Sequence, residues 1–109
     1  MLRVKDLMTI QPYTLLADAS LREALNRMRV EELRQIPVID PQDNLIGIIT
    51  DRDLCTRVLA EGLSPQDDVS SVMTTEVMSL DHNAYIYEAM LTMLRYNVHH
   101  LPVVKNQCI

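Results

Sequence analysis

The chain repeats itself once, at a constant offset of 65 residues. Val4-Lys5-Asp6-Leu7-Met8-Thr9 lines up with Val69-Ser70-Ser71-Val72-Met73-Thr74. Leu21, Glu23, Ala24, Leu25 and Met28 fall on Ile86, Glu88, Ala89, Met90 and Met93. Ile36-Pro37-Val38-Ile39 falls on Leu101-Pro102-Val103-Val104, with no gap between. Two tandem copies of one small unit point to a pseudo-twofold pair in which each copy covers apolar surface of the other. Residues 1–65 are the first repeat and 66–109 the second. The first runs on through Leu45-Ile46-Gly47-Ile48-Ile49-Thr50-Asp51-Arg52-Asp53 and a further helix, and the second stops at Ile109, short of that strand and helix.

Residues 3–9 read as a lead-in, followed by an extended segment around Tyr13–Leu16. Ser20 and Glu23 form an S-x-x-E capping box, which opens a helix expected to end near Glu32–Leu33. Leu21, Ala24, Leu25 and Met28 mark its buried stripe, and Arg22, Asn26, Arg27 and Arg29 its outer side. Ile36–Asp40 and Leu45–Thr50 flank the turn cluster Pro41-Gln42-Asp43-Asn44 and predict a hairpin. A second helix opens at Thr50 or Asp51 and stops at Gly62. After the linker Ser64–Asp68, the second copy predicts a lead-in over 69–75, an extended segment over 76–80, a helix over 84–96 and a strand over 100–104. Each unit is β-α-β-β-α, the second incomplete. The fold class is mixed α/β.

A length of 109 residues suits one compact domain, since halves of about 50 residues would be marginal alone. With no Phe or Trp, a core must be filled by Leu, Ile, Val and seven Met. The formal charge of −5 argues against non-specific nucleic-acid binding, which needs a basic surface. Cys55 and Cys108 stand far apart with no C-x-x-C, so neither zinc nor a disulfide framework is indicated, and both read as thiols of a cytoplasmic protein. No apolar run approaches 18 residues, so no membrane-spanning helix is expected.

Chemistry is suggested at Gly47-Ile48-Ile49-Thr50-Asp51-Arg52-Asp53, a strand-to-helix junction. The first helical N–H groups attract phosphate, Thr50 offers a hydroxyl and Arg52 a cation. Asp53 is an acceptor suited to paired sugar hydroxyls. Thr50-x-x-Asp53 is equally a capping box that needs no ligand. Gly47 would then serve to let two backbones approach. On spacing alone the capping reading leads.

The whole pattern resembles the CBS domain, named after cystathionine β-synthase. The residues that carry the likeness are Met8-Thr9, the helix over 20–32, Ile36-Pro37-Val38-Ile39-Asp40, and Leu45–Leu54 as the G-h-h-T-x-x-D-L signature. Met73-Thr74 and His100-Leu101-Pro102-Val103-Val104 match in the second copy. Two copies in tandem are similar to a Bateman module. The resemblance implies a regulatory module that takes AMP, ADP, ATP or S-adenosylmethionine in clefts between repeats, with no cofactor required. It places Asp53 at the ribose hydroxyls, Thr50 near the phosphates and Ile48 against the base or sugar. Arg34 and Gln35 before the first L-P-V-type strand, and Val98, His99 and His100 before the second, would line the same cleft. Met73, Thr74 and Met78 would form its floor. A second cleft would draw on Met8, Tyr13, Arg34, Gln35 and His100, without the second copy's Thr and Asp.

Adjacent His99 and His100 point to opposite sides of a strand, so no metal site is expected. No nucleophile–base pair or Walker loop is present, so no enzymatic activity is expected. The leading function is a ligand sensor that passes a conformational change to a partner or attached domain. One alternative is a ligand-free dimerisation module pairing through helices 51–61 and 84–96. Another is the regulatory piece of a larger enzyme or transporter.

Overall fold

The computed structural model describes residues 2–7, 13–96 and 101–105. Its elements in chain order begin with helix α1 (Val4–Leu7), strand β1 (Leu15–Leu16), helix α2 (Leu21–Val30), strands β2 (Gln35–Ile39) and β3 (Leu45–Thr50), and helix α3 (Asp51–Glu61). A 3-10 turn at Val69–Ser71 leads to strand β4 (Leu80–Asp81), helix α4 (Ile86–Tyr96) and strand β5 (Val103–Val104). The mixed α/β class and the order of the main elements are those expected from the sequence, while the two lead-ins, expected without helix, each form a short helical turn at Val4–Leu7 and Val69–Ser71. Two compact units result, one of residues 13–77 and one of residues 1–12 with 78–109.

In the 13–77 unit, β2 is the central strand, parallel to β1 and antiparallel to β3. The hairpin turn is closed by Asp40, whose Oδ1 accepts from Gln42 N and Asn44 N, both at 2.9 Å. Asp43 takes the left-handed backbone (φ 66°) that such a turn requires. Pro37 lies opposite Ile48. Ile48 directs its own backbone groups to Thr74 instead, so the missing proline N–H leaves no bond of that pair unmade.

Helix α2 starts where Ser20 Oγ accepts from Glu23 N at 3.1 Å. Leu21, Ala24 and Met28 are buried against the sheet. The expected stripe is too wide by one position: Leu25 is 51% exposed, and its counterpart Met90 59%. Each sits about 40° round the helix from the stripe's first residue, on the side away from the i+3 residue, past the edge of the contact. The helix closes at Val30, because Glu32 is already left-handed at φ 55°. Helix α3 ends on Gly62, whose φ of 65° gives the left-handed cap that a glycine adopts without strain.

The 65-residue repeat is reproduced in the backbone hydrogen bonds. Val69 N donates to Ala19 O (2.8 Å), and Val4 N to Ala84 O (2.7 Å). Ser70 N donates to Ala17 O (3.2 Å), and Lys5 N to His82 O (2.9 Å). The register Leu15↔Val38 is matched by Leu80↔Val103. Each repeat's opening segment is therefore seated on the body of the other repeat. Val69 and Val72 accordingly belong to the core of Leu15, Leu21, Ala24, Met28, Ile36, Val38, Ile49 and Leu54, while Val4 packs with Leu80 and Ala89. Fully burying a side chain such as Val69, Ile36 or Ile49 contributes about 1.5–3 kcal/mol.

Candidate ligand-binding site

The junction of β3 and α3 gathers most of the expected residues within the 13–77 unit. Side chains alternate along β3: Gly47 and Ile49 are buried, while Ile48 and Thr50 are half-buried on the opposite face. Gln35 is paired with Thr50, and Asp51 N donates to Arg34 O at 2.9 Å, so both residues preceding the β2 core stand beside the helix start. On the other edge of β3, Ile48 and Thr74 exchange two backbone bonds, at 2.9 and 2.8 Å. Arg57 Nη1 donates to Val72 O at 3.0 Å and holds that segment against α3.

The capping reading of Thr50 and Asp53 holds. Asp53 N donates to Thr50 Oγ1 (3.0 Å), and Thr50 N donates to Asp53 Oδ2 (3.2 Å). This closed pair still leaves capacity. Thr50 Oγ1 is used as an acceptor, so its proton is free to donate. Among the described residues no donor reaches Asp53 Oδ1. Asp53 is half-buried, its sequence neighbour Arg52 is exposed, and Arg34, which accepts from Asp51 N, is exposed as well. A carboxylate oxygen, a hydroxyl proton and an apolar Ile48 thus line one strand–helix corner. Such a corner can hold a polyhydroxylated ring by its hydroxyls.

Met73 is placed behind this wall. It packs on the buried core cluster, on the side of β3 that Gly47 and Ile49 face. Thr74, half-buried, is the member of the segment that joins Ile48 directly. Met78, 37% exposed, falls in the other unit. Val98, His99 and His100, and Met8 of the second cleft, lie outside the described residues. Tyr13 is 44% exposed on the surface of α2, its ring 5.5 Å from the Arg27 guanidinium. A hydrogen bond to Glu31 raises its phenol pKa above the ordinary value.

Arg57 escaped the sequence reading, because nothing in the spacing pairs it with a carbonyl 15 residues away. Among the described residues no group of three or more His, Cys, Asp or Glu could hold a metal ion. Nor, among the described residues, is any helix long and apolar enough to cross a membrane.

Comparison with known proteins fits these features. The sequence model of the CBS domain family matches residues 4–60 and again 69–109. The CBS domain-containing protein YhcV of Bacillus subtilis is 37% identical over 101 residues, which is 93% of this chain and 71% of YhcV. CBSCBSPB2 of Arabidopsis thaliana is 35% identical over 104 residues, but the chain spans only 19% of its length. Among solved structures, AcuB from Vibrio cholerae superposes with a TM-score of 0.94 at 31% identity, over 100% of this chain and 81% of that one. The CBS domain pair of MJ0100, solved with 5′-methylthioadenosine and S-adenosylmethionine, gives 0.84 at 25% identity, over 99% and 84%.

Proposed function

The chain belongs to the CBS domain family, and on that premise we propose that it is a non-enzymatic regulatory module sensing an adenosine-containing ligand. AMP, ADP, ATP and S-adenosylmethionine are the candidates. The observation that carries this reading is the spare capacity of the Thr50–Asp53 pair. Asp53 Oδ1 takes the ribose hydroxyls, the Thr50 hydroxyl donates toward an anionic or carboxylate tail, and Ile48 packs on the ring. Arg34, Gln35, Arg52 and Thr74 border the ligand, and Met73 supports Thr74 from the core side. Val98, His99, His100 and Met78 complete the same proposed set, with Met8, Tyr13 and His100 at a second site. The ligands in the MJ0100 pair, both adenosine derivatives, support this class of molecule.

Sensing requires that the ligand favour one arrangement of the protein over another, and the difference is passed to a partner or an attached enzyme or transporter domain. Pairing of two copies through exposed helix faces belongs to the same proposal, as does a cytoplasmic location. The test is the thermal midpoint with AMP, ADP, ATP and S-adenosylmethionine, each at millimolar concentration. A ligand present at about 100 times its Kd stabilises the native state by about 2.7 kcal/mol. A raised midpoint with at least one ligand is expected. If none moves it, the module is a scaffold whose site stays empty, a reading favoured by the apolar exposed face of α4.

A further inference from the structure

The segment that carries Thr74 to the candidate site is held by few groups. Val72 anchors it with a fully buried side chain, and Thr74 is tied by its two backbone bonds to Ile48. Directly opposed residues of an antiparallel pair carry their side chains on the same face. The bridge between Ile48 and Thr74 therefore sets Thr74 on the Ile48 side of the sheet, where Thr50 also stands, while Met73 turns to the core. Upstream, Val69 N and Ser70 N donate to the carbonyls of Ala19 and Ala17. Among the described residues, one side chain from outside the segment 69–77 bonds to it: Arg57, whose Nη1 donates to Val72 O at 3.0 Å.

That bond is made in preference to a nearer one. Arg57 follows Asp53 by four residues on α3, the spacing and order in which a carboxylate and a cation pair on a helix. No such pair forms: among the described residues the ion pairs are Arg27 with Glu31 and His82 with Asp81. The guanidinium reaches instead to a carbonyl 15 residues away. Asp53 is thereby left without a cation, and the segment gains a charge-assisted tether two residues before Thr74. We infer that Arg57 is a positioning residue for the ligand site, fixing Thr74 at the edge of the β3–α3 corner through its bond to Val72. This rests on the reading of Thr50 and Asp53 as that site. Arg57 acts through the segment and not by contact with the ligand.

Calorimetric titration of the 109-residue chain with AMP, ADP, ATP and S-adenosylmethionine tests this, comparing wild type with Arg57→Met. The substitution keeps an apolar stem and removes the donors. Circular dichroism checks folding, and amide exchange without ligand follows Ile48 N and Thr74 N. The variant is expected to stay folded, to lose protection at those two amides before the rest of β2 and β3, and to bind about tenfold more weakly. Mere destabilisation of a protein still almost wholly native would not move that affinity, since it changes only the small unfolded fraction. The tenfold loss is expected to be the same at about 0.05 M and about 0.5 M salt, because a tether does not act at long range. A loss that fades with salt would make Arg57 an electrostatic attractor of the ligand and overturn the positioning role. Equal affinity in the two proteins would overturn it as well, leaving Arg57 to satisfy the carbonyl of a buried residue and nothing more. Should Arg57→Met not fold, Arg57→Gln, whose side chain is too short for the same reach, carries the same comparison. A wild type that binds none of the four compounds overturns the reading of the site itself and this inference with it.

Discussion

Gly47 stands where any side chain would strike Met73: a β-carbon at Gly47 would lie 2.6 Å from the Met73 sulfur and 3.1 Å from the Thr74 carbonyl oxygen. The sulfur ends a flexible side chain and can swing away. The carbonyl cannot, because it accepts the Ile48 N–H. Gly47→Ala is therefore expected to cost about 1–3 kcal/mol, the range for overpacking a tight contact, and to loosen the 73–74 segment that flanks the candidate site. Urea denaturation measures the first effect. Loss of exchange protection at Ile48 N and Thr74 N measures the second. A variant as stable as wild type would mean that the strand edge yields more readily than this geometry implies.

Asp53 serves two purposes that substitution can separate. Asp53→Asn keeps an oxygen to accept from Thr50 N and removes the charge. Stability should stay within about 0.5 kcal/mol of wild type, while affinity for an adenosine ligand falls by the equivalent of about 1–3 kcal/mol, as for loss of charged hydrogen bonds. Asp53→Ala loses the reciprocal half of the capping box as well and should cost about 1 kcal/mol of stability. Calorimetric titration beside thermal unfolding reads both. Unaltered affinity in the asparagine variant would leave Asp53 with its capping role only.

The turn at Asp40 gives a signed pH dependence. The Asn44 backbone N–H, followed by the Asn44 side chain and the Gln42 N–H, holds the Asp40 carboxyl below its ordinary pKa against a smaller opposing effect of burial. A group depressed in the folded state stabilises the fold above its unfolded pKa. That contribution disappears as pH falls through the folded value. Wild-type protein should thus lose stability on acidification below the ordinary carboxylate range, and Asp40→Asn should lose less over the same interval. Parallel pH profiles of the urea midpoint for the two proteins would refute the assignment.

What was legible in the sequence was whatever local chemistry or the repeat could encode. Ser20, Thr50, Asp53 and Gly62 punctuate helices through their own hydrogen bonds or backbone angles, so their positions were readable. Gly47 could be recognised as a close-approach point. Its partner could not, since Met73 meets it only in the folded chain. The same holds for Arg57 with Val72. Leu25 and Met90 misled because periodicity reports which residues are apolar and not how wide the covering surface is. At the candidate site, β3 and α3 could be drawn from spacing, whereas the placement of Met73 on the core side needed the strand's alternation together with the Ile48–Thr74 bonds.

The exchanged opening segments make one further prediction. Val69 is fully buried in the core of the 13–77 unit, and Val4 is 5% exposed against Leu80 and Ala89 in the other. Either Val→Ala change removes two buried methyl groups, at a cost of about 1–3 kcal/mol. Sequence repeats treated as independent bodies would place the damage from Val69→Ala in residues 78–105. The hydrogen bonds of Val69 to Ala19 and of Val4 to Ala84 place it the other way round. Native-state hydrogen exchange should show Val69→Ala lowering protection of β2 and β3, and Val4→Ala lowering it in β4 and α4. Protection lost within the variant's own sequence repeat, with the other repeat unaffected, would contradict the exchange.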